Sequence, residues 1–208
     1  MTFAKADQLK AAIDAVYQTF KAPVPFNIEG CPCCVGTRGV DALLTTPLRE
    51  ISGQQLWRYV SGVFLTIGSQ RDFRYLLPRI LEISVSDSDH ALNSEIVIGK
   101  LGRADWLQWP ESEQAAIRTL LDLWFELALS LDLEEAEDGF GISCSEAEGV
   151  LCGGALAGLT LDPWLERLQQ ADVALVLDHI RSNFPTQPNG FWEDAPECFA
   201  KVSGFLGR

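Results

Sequence analysis

The segment Cys31-Pro32-Cys33-Cys34 places three thiols within four residues of a chain that has six cysteines. Thiolates are nucleophiles and soft metal ligands, so this segment predicts either a metal-binding knuckle or a redox-active pair. Cys31 and Cys34 have the spacing that lets two sulfurs bind one metal ion, and Cys33 could supply a third ligand. A structural zinc site needs four ligands. The fourth would come from a residue distant in sequence, namely Cys144, Cys152, Cys198, His90 or His179.

The same thiols fit two other interpretations. As a dithiol, Cys31 and Cys34 would exchange with disulfides, with the thiolate favoured by a nearby helix amino terminus. No strand and helix pattern of the thioredoxin kind surrounds them, which speaks against this interpretation. Cysteine is also a common small buried residue, an interpretation that applies equally to Cys144, Cys152 and Cys198. Metal binding, redox exchange and ordinary packing therefore all remain open for the cysteine-rich segment.

Beyond this segment the sequence offers no arrangement that is typical of an enzyme. Only two histidines occur, His90 and His179, and neither belongs to a metalloprotease motif. Four closely spaced glycines lack the lysine of a phosphate-binding loop and instead predict close contact between helices; they are Gly149, Gly153, Gly154 and Gly158. We therefore assign no catalytic residue, and cofactor-binding residues stay unassigned.

Arginines are concentrated in one predicted helix of an otherwise acidic chain. Arg71, Arg74 and Arg79 lie on that helix, and Arg58 lies on the helix before it. A guanidinium group binds carboxylates and phosphates through two parallel hydrogen bonds, so these residues predict an anion site. The alternative is a set of ion pairs with carboxylates on neighbouring helices, for which the acidic part of the chain offers many partners.

The net charge of −13 is concentrated between Arg118 and Arg167, a stretch without lysine or arginine. Its eleven acidic residues are Asp122, Glu126, Asp132, Glu134, Glu135, Glu137, Asp138, Glu146, Glu148, Asp162 and Glu166. Such a field repels phosphate backbones, which disfavours nucleic-acid binding, and it attracts a basic protein partner or a divalent cation. A solvated surface that keeps the protein in solution is the alternative.

The remaining composition predicts a cytoplasmic protein that does not enter a membrane. Residues Met1 to Lys10 lack the apolar core of a secretory signal. No uncharged apolar run reaches the roughly 18 residues of a membrane span. The longest uncharged run, Gly149 to Leu161, is too short and too rich in glycine. In the cytoplasm thiols stay reduced, so a framework of disulfides is not expected.

Apolar residues recur every three to four positions along most of the chain, which predicts helices throughout. Predicted helices cover 3–20, 52–67, 69–84, 94–101, 110–133, 143–156, 162–169, 171–184 and 193 or 196 to 205. Between 117 and 133 only one narrow polar stripe interrupts the apolar surface, so this helix should form the core. Residues 134–141 are predicted to be an acidic loop, and residues 22–40 a cysteine-rich loop.

Some nine helices with short connections predict an all-α fold, a single domain over residues 1–208. We expect an antiparallel helical array, for which a HEAT-like α-solenoid is one geometric option. This fold class, the acidic segment and the lack of a catalytic arrangement favour a non-enzymatic interaction or scaffold protein. The alternative function is that of a zinc-binding or thiol-redox protein built on Cys31, Cys33 and Cys34.

After the cysteines come Pro47-Leu48-Arg49-Glu50, the helix Asp72-Phe73-Arg74-Tyr75-Leu76-Leu77-Pro78-Arg79-Ile80-Leu81-Glu82, then Gly99-Lys100-Leu101, Trp106 and Trp109-Pro110. This series of segments resembles an uncharacterised family of bacterial proteins. Where the relatives have Thr-Trp-Gly before the arginine helix, this chain has Thr66-Ile67-Gly68. The resemblance covers roughly residues 28 to 125 and implies a soluble, helical, bacterial protein. It implies no assigned activity, cofactor or catalytic residue.

Overall fold

The computed structural model describes residues 3–37, 39–86, 92–138, 142, 145–184 and 186–207. These residues form the α-helices α1 Phe3–Thr19, α2 Pro32–Thr37, α3 Val40–Thr45, α4 Gly53–Val60, α5 Gln70–Ser86, α6 Ser94–Arg103, α7 Glu111–Glu137, α8 Glu146–Leu156, α9 Asp162–Leu168, α10 Ala174–Asn183 and α11 Pro196–Leu206. Short 3-10 helices lie at Leu48–Glu50, Trp106–Gln108, Ala171–Val173 and Gly190–Asp194. Extended pairing in the described ranges consists of isolated bridges from Ile67 to Gly30 and to Val63. The predicted all-α fold class is confirmed.

The long helix α7 lies at the centre of the fold. It has 27 residues and packs against α1, α8 and α10. Trp124, near its middle, is only 4% exposed, as its apolar circumference predicts. The contact between α1 and α7 joins parts of the chain that are far apart in sequence, which departs from the neighbour-only stacking of an α-solenoid.

Glycine allows the extensive contact between α6 and α8. A Cβ atom on Gly153 of α8 would lie 2.8 Å from the Cβ atom of Ile98 on α6. A Cβ atom on Gly102 of α6 would lie 2.2 Å from the carbonyl oxygen of Leu156 on α8. Neither position has room for a side chain, so the predicted close approach of helices at the α8 glycines is confirmed for Gly153.

Replacing Gly102 with alanine is therefore expected to lower the free energy of unfolding by about 2–3 kcal/mol, because backbone atoms of Leu156 must move to accept the methyl group. Urea unfolding of the purified variant measures this effect. Gly204→Ala on α11 is the matched control, since a Cβ atom there meets nothing within 4 Å. It should be neutral or stabilising by up to about 1 kcal/mol. Equal stabilities for the two variants would contradict this account of the helix contact.

Two predicted boundaries around α4 and α7 are wrong. α4 ends at Val60 and not at 67, because the following residues turn back and place Phe64 and Gly68 at positive φ angles of 63° and 82°. α7 continues to Glu137 through the predicted acidic loop. Glutamate is a good helix former, and Ala136 in this last turn packs against the apolar core.

The starts of the helices show how well capping signals can be read. The predicted capping box of Ser52 and Gln55 is present at the start of α4. The capping residue predicted for α8, Ser143, lies outside the described residues; the structure instead caps α8 with Ser145, whose hydroxyl accepts from Glu148 N. The predicted cysteine-rich loop contains the short helix α2.

Candidate functional site

The backbone of the cysteine-rich segment is attached to the turn that follows α4. The amide of Cys31 donates to the Thr66 carbonyl at 2.9 Å, and the amide of Gly68 donates to the Glu29 carbonyl at 2.7 Å. Between these two hydrogen bonds, the backbone at Gly30 lies directly against the backbone of Thr66 and Ile67. A Cβ atom on Gly30 would lie 2.8 Å from the Thr66 carbonyl oxygen. Only glycine fits at this position, and the hydrogen bond from its neighbour Cys31 to Thr66 fixes the backbone of Cys31 against the fold.

The structure brings Cys31 and Cys33 together. Their Sγ atoms are 2.9 Å apart, and both residues are exposed. The predicted partner of Cys31 was Cys34, whose side chain lies outside what the structure describes. Reducing the Cys31–Cys33 distance to the roughly 2.05 Å of a disulfide requires a movement of less than about 1 Å. This pair, called the thiol pair below, is thus arranged for the chemistry of a dithiol.

Cys152, one of the predicted fourth metal ligands, is buried in α8 and differs sharply from the thiol pair. Burial raises the pKa of its thiol to about 12, and the carboxylates of Glu95 and Glu148 reinforce that shift. A thiol with so high a pKa is a poor nucleophile at neutral pH. Cys152 therefore has the properties of a packed core residue.

Two more of the predicted fourth ligands, His179 and Cys198, can be placed in the structure. His179 on α10 shares a hydrogen bond of 2.9 Å with Asn183. Cys198 on α11 is partly buried against the apolar core. His90 and Cys144 lie outside the described residues. Among the side chains that the structure describes, no three histidine, cysteine or acidic residues group together as metal ligands would.

Arg79 and Arg74, two of the arginines highlighted by the sequence, form ion pairs with described residues. Arg79 binds Glu82 Oε2 at 2.7 Å and the Ile51 carbonyl at 2.8 Å. Arg74 donates to Glu113 Oε1, and its guanidinium lies 5.2 Å from the centre of the Trp109 ring. The ion-pair alternative describes both of these residues.

The other two arginines are exposed at different places. Arg58 lies on α4, whereas Arg71 lies on the first turn of α5 and lines a cavity together with Arg74. The four arginines therefore do not form one cluster, but Arg71 and Arg74 share a site.

A groove with a cavity of about 550 Å³ runs between α4, α6 and the 3-10 helix at 190–194. Its rim carries three exposed apolar side chains, Trp57, Leu65 and Phe191, which are 39%, 60% and 41% exposed. Glu95 also lines it and is only 8% exposed. Lys100 lines it too, with its ammonium group 3.3 Å from the Val63 carbonyl. The groove thus combines an apolar rim with buried charge.

The buried carboxylate of Glu95 is weakly satisfied by its neighbours. Its hydrogen bonds to described residues come from Asn93 Nδ2 and Ser94 Oγ, both at 3.4 Å. Hydrogen bonds to a carboxylate are usually below 3 Å, so these two are long. A carboxylate in this position favours a cationic group entering the groove.

Sequence reasoning missed the buried carboxylates that join the helices. Asp132 of α7 is 1% exposed and accepts hydrogen bonds from Ser145 Oγ and from the amides of Glu146 and Ala147 at 2.7–3.0 Å. It thereby caps α8 from a different helix. A signal was available, since Asp132 falls outside the stripe of polar residues that recur every four positions between 118 and 130.

A second buried carboxylate, Asp72, joins α5 to α4. It accepts hydrogen bonds from the Tyr59 hydroxyl at 2.6 Å and from the Ser69 amide at 2.9 Å. The sequence pair Ser69 and Asp72 predicted the start of α5, but nothing in it pointed to Tyr59. Burial, followed by the charge of Asp72, raises the pKa of Tyr59.

The raised pKa values of the Cys152 thiol and the Tyr59 phenol predict a loss of stability at alkaline pH. The ordinary pKa of a cysteine is 9.0, and that of Cys152 in the folded protein is about 12; the pKa of Tyr59 is raised as well. Because the unfolded state releases these protons first, their contribution to stability is complete below pH 9.0 and is lost as the pH rises towards 12. Urea unfolding across this pH range should show the free energy of unfolding falling as the pH rises. The fall per pH unit should be smaller for Cys152→Ala. A flat profile, or the same slope in the variant, would contradict it.

Comparison of the chain with known protein families, with curated proteins and with solved structures finds no match. The resemblance to an uncharacterised bacterial family therefore stays a prediction. None of the helices in the described ranges combines the length and the apolar character that crossing a membrane requires.

Proposed function

We propose that this protein acts through the thiol pair as a redox-active dithiol. The 2.9 Å separation of two exposed sulfur atoms is the observation that carries the proposal. The anchored backbone at Gly30 supports it, because a dithiol whose geometry is set by the fold has less conformational entropy to lose when its disulfide forms. The partner is a disulfide, either one in another protein or oxidised glutathione.

The exchange balances as a two-electron transfer. The thiolate of one cysteine attacks a sulfur of the partner disulfide, forming a mixed disulfide and releasing the partner's other sulfur as a thiolate that takes up a proton. The second cysteine loses its proton, and its thiolate attacks the sulfur of the first cysteine in the mixed disulfide. The partner's remaining sulfur leaves as a thiolate and takes up a proton. Cys31 and Cys33 end as a disulfide, and the partner gains two electrons and two protons.

A dithiol needs two cysteines, whereas a structural zinc site needs four ligands. The two cysteines that a dithiol needs are both among the described side chains. We therefore favour redox exchange over a zinc site built on Cys31, Cys33 and Cys34. Metal analysis of protein purified without chelator separates the two functions. Stoichiometric zinc that is lost on Cys34→Ser would support the metal site and overturn the redox proposal.

Reaction with oxidised glutathione tests the proposal directly. The protein should lose two hydrogen atoms in mass, and peptide mapping should locate the new disulfide between Cys31 and Cys33. Cys198→Ser is the control, since Cys198 lies on α11 and should not affect the product. A product that contains glutathione on single cysteines, without an internal disulfide, would contradict the proposal.

A second candidate function, partner binding, rests on the groove with its exposed Trp57 and Phe191. We propose as its occupant a segment of a partner protein that presents an apolar side chain next to a lysine or arginine. The apolar side chain would pack between the two aromatic rings, and the cation would bind Glu95. The net charge of −13 attracts such a basic partner over longer distances. This function describes a non-enzymatic interaction protein.

Short peptides with an apolar residue beside an arginine provide the test of partner binding. Titration should show saturable binding that Trp57→Ala weakens by about tenfold or more, since a buried aromatic anchor commonly contributes over 1.4 kcal/mol. Leu175→Ala, which removes an exposed apolar side chain of α10, should leave binding unchanged. Equal binding of a peptide with glutamate in place of the arginine would overturn the assignment of Glu95.

A further inference from the structure

A cavity of about 400 Å³ lies between the end of α1 and the start of α5, and it shares no lining residue with the groove. Three cationic side chains and one carboxylate line it: Lys21, Arg71, Arg74 and Glu113. Three positive charges against one negative charge leave a local excess of two positive charges, in a chain whose net charge is −13. This cavity is therefore an exception to the acidic character of the protein.

Arg74 is held in place from two sides. Its guanidinium donates to Glu113, which is buried, and stacks on the Trp109 ring. A guanidinium group has five N–H donors, and the bond to Glu113 occupies one of them. The others remain available to a ligand in the cavity, at a position that the fold has already fixed.

Two further cationic side chains of the cavity are open to a ligand. The side chains of Lys21 and Arg71 are exposed there and make no ion pair or hydrogen bond with described residues. Tyr75 lines the same cavity, is only 6% exposed, and its hydroxyl makes no hydrogen bond with those residues. Burial raises the pKa of Tyr75, so the phenol keeps its proton and remains a donor at neutral pH.

We propose that this cavity is a binding site for a small phosphate monoester. A phosphate monoester carries a charge of about −1.5 to −2 at pH 7, which matches the local excess of two positive charges better than a single carboxylate does. Its oxygens can accept from Arg71, Arg74 and Lys21 and from the Tyr75 hydroxyl at the same time. Glu113 acts as a positioning residue, because its charge is balanced by Arg74. The proposal does not depend on the function of the thiol pair.

Calorimetric titration of the full chain with methyl phosphate and with inorganic phosphate, at constant ionic strength, tests the site. Saturable binding of methyl phosphate is expected, with acetate and chloride binding at least about tenfold more weakly. Arg71→Gln should weaken phosphate binding about tenfold or more, and Tyr75→Phe about threefold to tenfold. Arg103→Gln, which removes an exposed cation at the groove, should change nothing. Absence of saturable binding, or an equal loss in Arg103→Gln, would overturn the proposal.

Glu113→Gln distinguishes a phosphate site from a site for a zwitterion such as an amino acid. The variant keeps the shape of the side chain and removes its negative charge, so phosphate should bind it at least as tightly as it binds the parent protein. An amino acid would use that carboxylate to hold its ammonium group and would bind the variant more weakly. The contrary outcome is that the parent protein binds glycine more tightly than methyl phosphate. If Glu113→Gln then lost its affinity for glycine, the cavity would be an amino-acid site and the phosphate proposal would be overturned.

Discussion

Replacing Cys33 with serine is expected to abolish the internal disulfide and to leave a lasting glutathione adduct on Cys31. In the parent protein the second thiol removes glutathione from the mixed disulfide, because its sulfur is only 2.9 Å from that of Cys31. Serine cannot attack a disulfide, so the exchange stops at its first step. Intact mass before and after treatment with oxidised glutathione measures the change, which should be complete and not partial.

Cys34→Ser and Cys152→Ala are the matched controls for this experiment. Cys34→Ser should still form the internal disulfide if Cys31 and Cys33 suffice as the pair. Cys152 is buried and its pKa is raised to about 12, so Cys152→Ala should behave as the parent protein does. An internal disulfide that survives Cys33→Ser but is lost in Cys34→Ser would show that Cys31 and Cys34 form the pair.

Replacing Asp132 with alanine should lower the free energy of unfolding by about 4 kcal/mol. Its carboxylate receives three hydrogen bonds in a buried place, and each donor left without a partner costs about 1–3 kcal/mol. Asp132→Asn should cost about half as much, because its carbonyl oxygen can still accept. Burial raises the pKa of Asp132, although its three donors oppose the shift, so the neutral side chain of asparagine is tolerated.

Asp178→Ala is the control for Asp132, since it removes an acid from helix α10 whose side chain is 74% exposed. Its effect should stay within about 0.5 kcal/mol of the parent protein. Urea unfolding of all three variants gives the comparison. Similar stabilities for Asp132→Ala and Asp178→Ala would mean that the carboxylate of Asp132 is not what holds the start of α8 against α7.

The fold class followed from the spacing of apolar residues, but the partners of each helix did not. The periodicity between 117 and 133 predicted a central helix, and Trp124 is buried there. Nothing in that pattern specified that α1 would pack against α7, because helix periodicity is local and helix pairing is not. The end of α4 was also beyond prediction, since it depends on bridges that Ile67 forms after the turn.

The candidate sites were predictable in residue type and less so in geometry. The sequence drew attention to the cysteine-rich segment, and its spacing favoured Cys31 with Cys34; the described geometry adds a close approach of Cys31 to Cys33, and the pairing with Cys34 stays a prediction. Cys33 lies on helix α2, and six residues carry too weak a signal to predict a helix. The arginines likewise suggested an anion site, but the position of Lys21 and Tyr75 beside Arg71 and Arg74 depends on the packing of α1 against α5, which the sequence does not specify.

A redox titration of the thiol pair in glutathione buffers tests the central claim most directly. The fraction of protein with a disulfide between Cys31 and Cys33 is measured by alkylation and intact mass at each ratio of reduced to oxidised glutathione. The predicted result is one two-electron transition with a midpoint above about −300 mV, as is usual for an exposed disulfide. Thiols that stay reduced at every ratio, including oxidised glutathione alone, would contradict the proposal that this protein acts as a dithiol.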